Sequence, residues 1–156
     1  SATGFTLVES LTTLVVVGVL ASLAVPSLRQ EIATIRVIGV LDQLQSDLML
    51  ARMMAARDGA PSEVRFTADA DGCIVEYLLV PWGAAGSATA IRRRVEAGAT
   101  GVCLRGGRRP KPVRFDARGL VRKGARTFSV TQDDREYALV LSFAGRVRRV
   151  ERGKER

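Results

Sequence analysis

Gly4-Phe5-Thr6-Leu7-Val8-Glu9, followed at once by an uncharged run from Ser10 to Leu28, decides how this chain is read. The run holds 19 residues without a charge, and Arg29 ends it. Between Phe5 and Leu28, Glu9 is the one ionisable side chain. A helix of that length spans roughly 36 Å, against the about 30 Å of a bilayer core, so the segment is a membrane-spanning candidate. A secretory signal peptide has a basic start, a short apolar region and a small-residue cleavage site at its end. Here the apolar run begins almost immediately and continues into an amphipathic pattern, which implies that the segment is retained. Glu9 is out of place in such a run: a carboxylate in hydrocarbon costs at least about 2.5 kcal/mol, which makes it a functional candidate in need of a partner. Simple placement at the interface, where a helix N-terminus favours negative charge, is the alternative.

Beyond Pro26 the apolar positions Leu28, Ile32, Ile35, Ile38, Leu41, Leu44, Leu48, Ala51 and Ala55 step by threes and fours, the period of an amphipathic helix. Pro26 removes one backbone hydrogen bond, and a kink is expected there. Phe5 to Arg57 would extend about 80 Å if fully helical. Asp58-Gly59-Ala60-Pro61 supplies the stop, with Gly past the end and Pro beyond it. From Glu63 the period shortens. Strands are expected over Val64–Thr67, Cys73–Val80, Ile91–Val95, Gly101–Leu104, Val113–Asp116, Arg126–Thr131, Tyr137–Phe143 and Arg146–Val150, separated by Gly, Pro and Asp clusters. Ala144-Gly145 between the last two reads as a hairpin connection. The fold class expected is α+β: a long N-terminal helix whose second half packs on a C-terminal antiparallel β domain. By segment, 1–4 precede the helix, 5–28 are the membrane or assembly helix, 29–58 its amphipathic continuation, and 59–156 the β-rich domain.

Charge is divided unevenly along the chain. The formal net charge is +8, from 24 basic and 16 acidic residues, yet residues 1–90 carry −4 and residues 91–156 carry +12. A chain with 3 Lys, no His and abundant Arg, Ala, Gly and Val fits a GC-rich genome. That bias explains Arg over Lys, and it leaves the clustering unexplained. The asymmetry suggests a polyanionic partner, nucleic acid or an anionic surface. Cys73 and Cys103 both follow the apolar run. They can pair if the domain lies on the oxidising side; free thiols are the alternative. A zinc site is excluded by too few ligands, since two Cys stand without any His. Arg29 and Arg36 just after the run would favour a cytoplasmic side on the positive-inside tendency.

Enzymatic chemistry finds little here, and neither a cofactor nor a metal is expected. Without His there is no Ser-His or Cys-His nucleophile, and no phosphate-binding GxxxxGK loop occurs. Asp69-Ala70-Asp71-Gly72 lacks the further ligands of a calcium loop and reads as an acidic turn. Trp82, after Pro81, reads as a packing anchor, with base stacking the alternative, and an aromatic content of 5% argues against a general base-stacking platform. Arg146 and Arg148 are the better candidates. Alternation in a strand puts both on one face with Val147 on the other, so two guanidinium forks suited to phosphate oxygens project together beside a turn, and Arg149 adds charge. A solvated cationic strand is the plain alternative.

Gly4 before Phe5-Thr6-Leu7-Val8-Glu9 resembles the processing motif of type IV pilins and type II secretion pseudopilins. The resemblance implies cleavage after Gly4 by a prepilin peptidase, residues 1–4 being a leader remnant, methylation of Phe5, and a role for Glu9 in assembly through the N-terminal amine of a neighbouring subunit. Val113-Arg114-Phe115-Asp116-Ala117-Arg118-Gly119, Phe128, Tyr137 to Phe143 and Gly145-Arg146-Val147-Arg148 are similar to the C-terminal half of the minor pilins grouped as FimT and GspH. In FimT-like pilins a Gly-Arg-x-Arg motif at this place binds DNA during natural transformation, which implies Arg146, Arg148 and Arg149 as DNA-binding residues. The partners implied are DNA, other pilins, the pilus assembly machinery and the prepilin peptidase. The implied location is the inner membrane with a periplasmic domain, then the pilus, and a periplasmic domain favours the Cys73–Cys103 disulfide. A GspH-like pseudopilin of a type II secretion system, purely structural, is the alternative.

Overall fold

The structure, a computed structural model, describes residues 7–81, 90–95, 102–107, 109–132 and 135–153, with backbone alone at 23–30, 132, 152 and 153. Gly4, Phe5 and Trp82 lie outside the described residues. Two compact units divide the chain, Ser1–Ile35 and Arg36–Arg156. A single helix, α1 (Leu7–Asp58), enters both, and its backbone stays helical through Pro26. Within the first unit, Leu7, Leu11, Leu14, Val17 and Leu20 are exposed, as are Ile32 and Ile35. Among the described residues no helix is long and apolar enough to cross a membrane. The uncharged run continues into 23–30, where only the backbone is described.

In the second unit the buried stripe of α1 is Val37, Leu41, Leu44, Leu48, Ala51 and Ala55. Of the expected stripe, Leu41, Leu44, Leu48, Ala51 and Ala55 are buried, while Val37 takes the inward position expected of Ile38, which is half-buried. Gly59 stops the helix in the left-handed region (φ 60°), and the Ala60 N–H reaches back to the Ala55 carbonyl at 3.3 Å, closing a Schellman-type end. Pro61 follows, as the sequence indicated.

The α+β arrangement expected is present, with the strands in two antiparallel sheets. They are β1 (Ser62–Ala68), β2 (Ile74–Pro81), β3 (Ile91–Arg94), β4 (Leu104–Arg105), β5 (Val113–Phe115), β6 (Val121–Arg122), β7 (Arg126–Gln132), β8 (Arg135–Leu141) and β9 (Val147–Gly153). One sheet has the order β3-β2-β1-β5-β6, the other β4-β7-β8-β9. Alternation fills the core from both: Val64 from β1, Tyr77 and Leu79 from β2, Phe115 from β5, Val130 from β7, and Leu139 and Leu141 from β8 join the helix stripe in one cluster. β6 has no counterpart among the expected strands, because two residues are too short to register as a period.

Three links fasten this arrangement. The Ser62 hydroxyl donates to the Ala51 carbonyl at 2.7 Å and pins the start of β1 to the helix. Asp47, a buried helix residue, gathers three donors on Oδ2: the Tyr77 hydroxyl at 2.7 Å, Gln43 Nε2 at 2.9 Å and Arg93 Nε at 3.2 Å. Burial, aided by the Asp47 carboxylate, raises the Tyr77 phenol far above its ordinary range, so it remains a donor. Cys73 and Cys103 form a disulfide with Cα atoms 5.1 Å apart. Since one precedes β2 and the other β4, the bond ties the two sheets together.

Candidate nucleic-acid interface

The last hairpin is built by Ser142-Phe143-Ala144-Gly145-Arg146. The Ser142 N–H donates to the Arg146 carbonyl at 2.9 Å, and the Gly145 N–H donates to the Ser142 carbonyl at 3.0 Å. The Arg146 N–H is taken by Ser142 Oγ at 3.1 Å. Gly145 sits at φ 74°, which makes a three-residue loop with a left-handed last position. Asp116 to Leu120 repeats the design: the Asp116 N–H reaches the Leu120 carbonyl at 2.9 Å, and Gly119, also at φ 74°, donates to the Asp116 carbonyl at 2.8 Å. Asp116 Oδ1 takes the N–H groups of Arg118 and Leu120. Those donors, Leu120 foremost and against some desolvation, hold the Asp116 carboxyl below the ordinary carboxylate range. Asp69 to Cys73 is a third copy, with Gly72 at φ 80° and Asp69 Oδ1 accepting from Asp71 and Cys73. The acidic turn expected at Asp69 is thus a hairpin connection.

The Asp116–Leu120 and Ser142–Arg146 hairpins meet on Arg52 of α1. A Cβ on Gly145 would lie 2.5 Å from the Gly119 carbonyl oxygen and 3.0 Å from Arg52 Nε, and one on Gly119 would lie 3.0 Å from the same arginine. Neither position has room for a side chain. Gly145→Ala is expected to cost about 1 to 2 kcal/mol for the left-handed backbone alone, and more for the carbonyl it displaces. Urea unfolding checks this, and a midpoint equal to the parent's would count against the packing described. Arg52 had no signal in sequence, being one of several polar residues beside the apolar stripe.

Arg146 and Arg148 are exposed on either side of Val147, which is turned into the core. Neither has a carboxylate partner among the described residues, whereas Arg92, Arg93, Arg114 and Arg118 are paired with Glu76, Asp47, Glu63 and Asp116. Arg149 is a different case: on the opposite face of β9, it makes an ion pair with Asp42 of α1 at 2.9 Å. The structure groups Arg146 with Arg148, and Arg149 with the helix. Glu9 lies in the first turn of α1 and is exposed, its carbonyl taking the Thr12 hydroxyl at 3.0 Å.

A long helix leading into two antiparallel sheets is the fold of a minor pilin. Two crystal structures of the type IV minor pilin FimU of Pseudomonas aeruginosa (strain PAO1) are similar, at 17% and 18% identity and a TM-score of 0.57 each. They cover 72% of this chain and 90% and 86% of their own. The minor pseudopilin EpsH from the type 2 secretion system of Vibrio cholerae is similar at 14% identity and a TM-score of 0.49, over 70% of this chain and 92% of its own. At such identities the likeness is one of fold. No curated protein matches the chain. The family model described as type II transport protein GspH matches residues 41–145, and the chain belongs to that family. The match stops at Gly145, one residue before the two exposed arginines.

Proposed function

We propose that the chain is a minor pilin of the FimT kind, a binding and assembly protein and not an enzyme, which contacts DNA without sequence preference through Arg146 and Arg148. In this reading the N-terminal segment is processed after Gly4, methylated at Phe5 and anchored in the inner membrane with the β domain in the periplasm. Glu9 then serves assembly with other pilins. The observation that carries the DNA reading is a pair of exposed guanidinium groups lacking carboxylate partners among the described residues, at one end of a sheet and beside a rigid glycine turn. Among the described residues no helix presents the basic side chains of 91–156, so the contacts expected are to the phosphate backbone.

Phosphate contacts release counterions, and about 3 to 5 of them give a log-log salt slope of roughly −3 to −4.5 on duplex DNA. The full chain in detergent solution should show that slope by anisotropy. The double variant Arg146→Ala, Arg148→Ala should flatten it by about 2 units and weaken all sequences alike. A folded double variant with unchanged affinity and slope would remove this face from consideration. The second reading, a structural pseudopilin of a type II secretion system, draws support from the matching family model, which is described as a type II transport protein. Absence of duplex binding by the parent at low salt would favour it.

A further inference from the structure

Phe143 is 60% exposed, the one large exposed aromatic among the described residues. Leaving such a ring in water forgoes about 1.5 to 3 kcal/mol of burial, and its position is fixed: the Val121 N–H donates to the Phe143 carbonyl at 2.9 Å, locking the tip of the last hairpin onto β6. The ring stands at a cleft of about 530 Å³ that it shares with Arg114, Arg118, Arg122 and Lys123. Arg114 is committed to Glu63 and Arg118 to Asp116. Arg122 and Lys123 are exposed and have no carboxylate partner among the described residues. Lys123 is the one described non-glycine residue at positive φ (74°). Arg146 is three residues from the ring along the same turn.

We propose that this cleft binds an unpaired nucleotide of single-stranded DNA, the base stacked on Phe143 and the neighbouring phosphates held by Arg122 and Lys123. The proposal rests on the DNA reading above and adds a site on the neighbouring β5–β6 hairpin. An aromatic face in a concave cationic cleft cannot reach a base inside a duplex, where both faces are already stacked. A splayed single strand offers both the base and a flexible string of phosphates. The low aromatic content noted in the sequence does not oppose this, because one ring at the right place serves one base. Two cations without carboxylate partners beside the ring distinguish the cleft from an apolar docking patch, which would be depleted of charge at its centre.

Anisotropy of labelled oligothymidylate and of a duplex of equal length, measured with the full chain in detergent solution, tests the proposal. Phe143→Ala is expected to weaken oligothymidylate binding about tenfold, as loss of one base–aromatic stack does, and to leave duplex affinity unchanged. Phe143→Trp should restore it, and Arg122→Gln should weaken it with a smaller salt slope. Because the ring is exposed, all three variants should keep the parent's far-ultraviolet circular dichroism and urea midpoint. Oligothymidylate binding that survives Phe143→Ala would overturn the proposal, and so would Phe143→Leu binding as well as Phe143→Trp, which would make the contact merely apolar. The two readings fail separately: Arg146→Ala with Arg148→Ala leaving duplex binding intact sinks the earlier one, and indifference to Phe143 sinks this one. A parent chain that binds neither probe at low salt overturns both.

Discussion

Reducing the Cys73–Cys103 bond is expected to remove about 3 to 4 kcal/mol of stability from the β domain, the value for closing a loop of some 30 residues in the unfolded chain. Against a total of about 5 to 15 kcal/mol for a typical domain this is a large share. The bond also joins the sheet that begins at β3 to the one that begins at β4, so its loss frees one sheet from the other. Urea unfolding with and without a reductant, and of the Cys73→Ser, Cys103→Ser variant, should give a matching pair of lowered midpoints. Equal midpoints for oxidised and reduced protein would show that the link contributes nothing.

Asp47→Ala is expected to destabilise by about 3 kcal/mol, since it strands the buried Tyr77 hydroxyl and strips Arg93 of its carboxylate. Part of that cost falls away because Arg93 is partly exposed and can turn to water. Tyr77→Phe removes the donor as well as the need for it, and should cost only about 1 kcal/mol. The double variant Asp47→Ala, Tyr77→Phe should then be less destabilised than the two single losses added together. Strict additivity in that cycle would mean the hydrogen bond at 2.7 Å does not couple the helix to β2.

The elements whose signals are local were legible in the sequence. The helix stop at Gly59 and Pro61, the hairpin at Ala144-Gly145 and the inward Val147 between two outward arginines all follow from a few neighbouring residues. What depended on partners far along the chain was not legible. Asp47 is one charged residue among several on α1 until Tyr77 and Arg93 come to it from β2 and β3. Ile32 and Ile35 continue the apolar period of the helix yet stay exposed, because a period states which residues share a face and not where that face becomes covered. Arg149 was grouped with Arg146 and Arg148 by charge alone, while alternation along β9 sends it to Asp42. The division into two sheets had no signal, since each strand pattern is the same in either sheet. The Phe143 cleft was obscured for a similar reason: the sequence ends a strand at Phe143, whereas β8 ends at Leu141 and the ring belongs to the turn.

The three matching turns at Asp69–Cys73, Asp116–Leu120 and Ser142–Arg146 set an order of events when the chain folds. Each brings its two strands together across three loop residues, so β1 with β2, β5 with β6 and β8 with β9 can zip up within microseconds at little cost in loop entropy. The pairing of Ser62 with Phe115 must wait, because it closes a stretch of roughly 50 residues that contains the first hairpin. Gly119 and Gly145 come within touching distance of one another only at the end, when two finished hairpins slide over Arg52. The slow step of folding is therefore expected to be the docking of ready-made ribbons on a helix, and the glycines that shape the turns also set how closely those ribbons can dock.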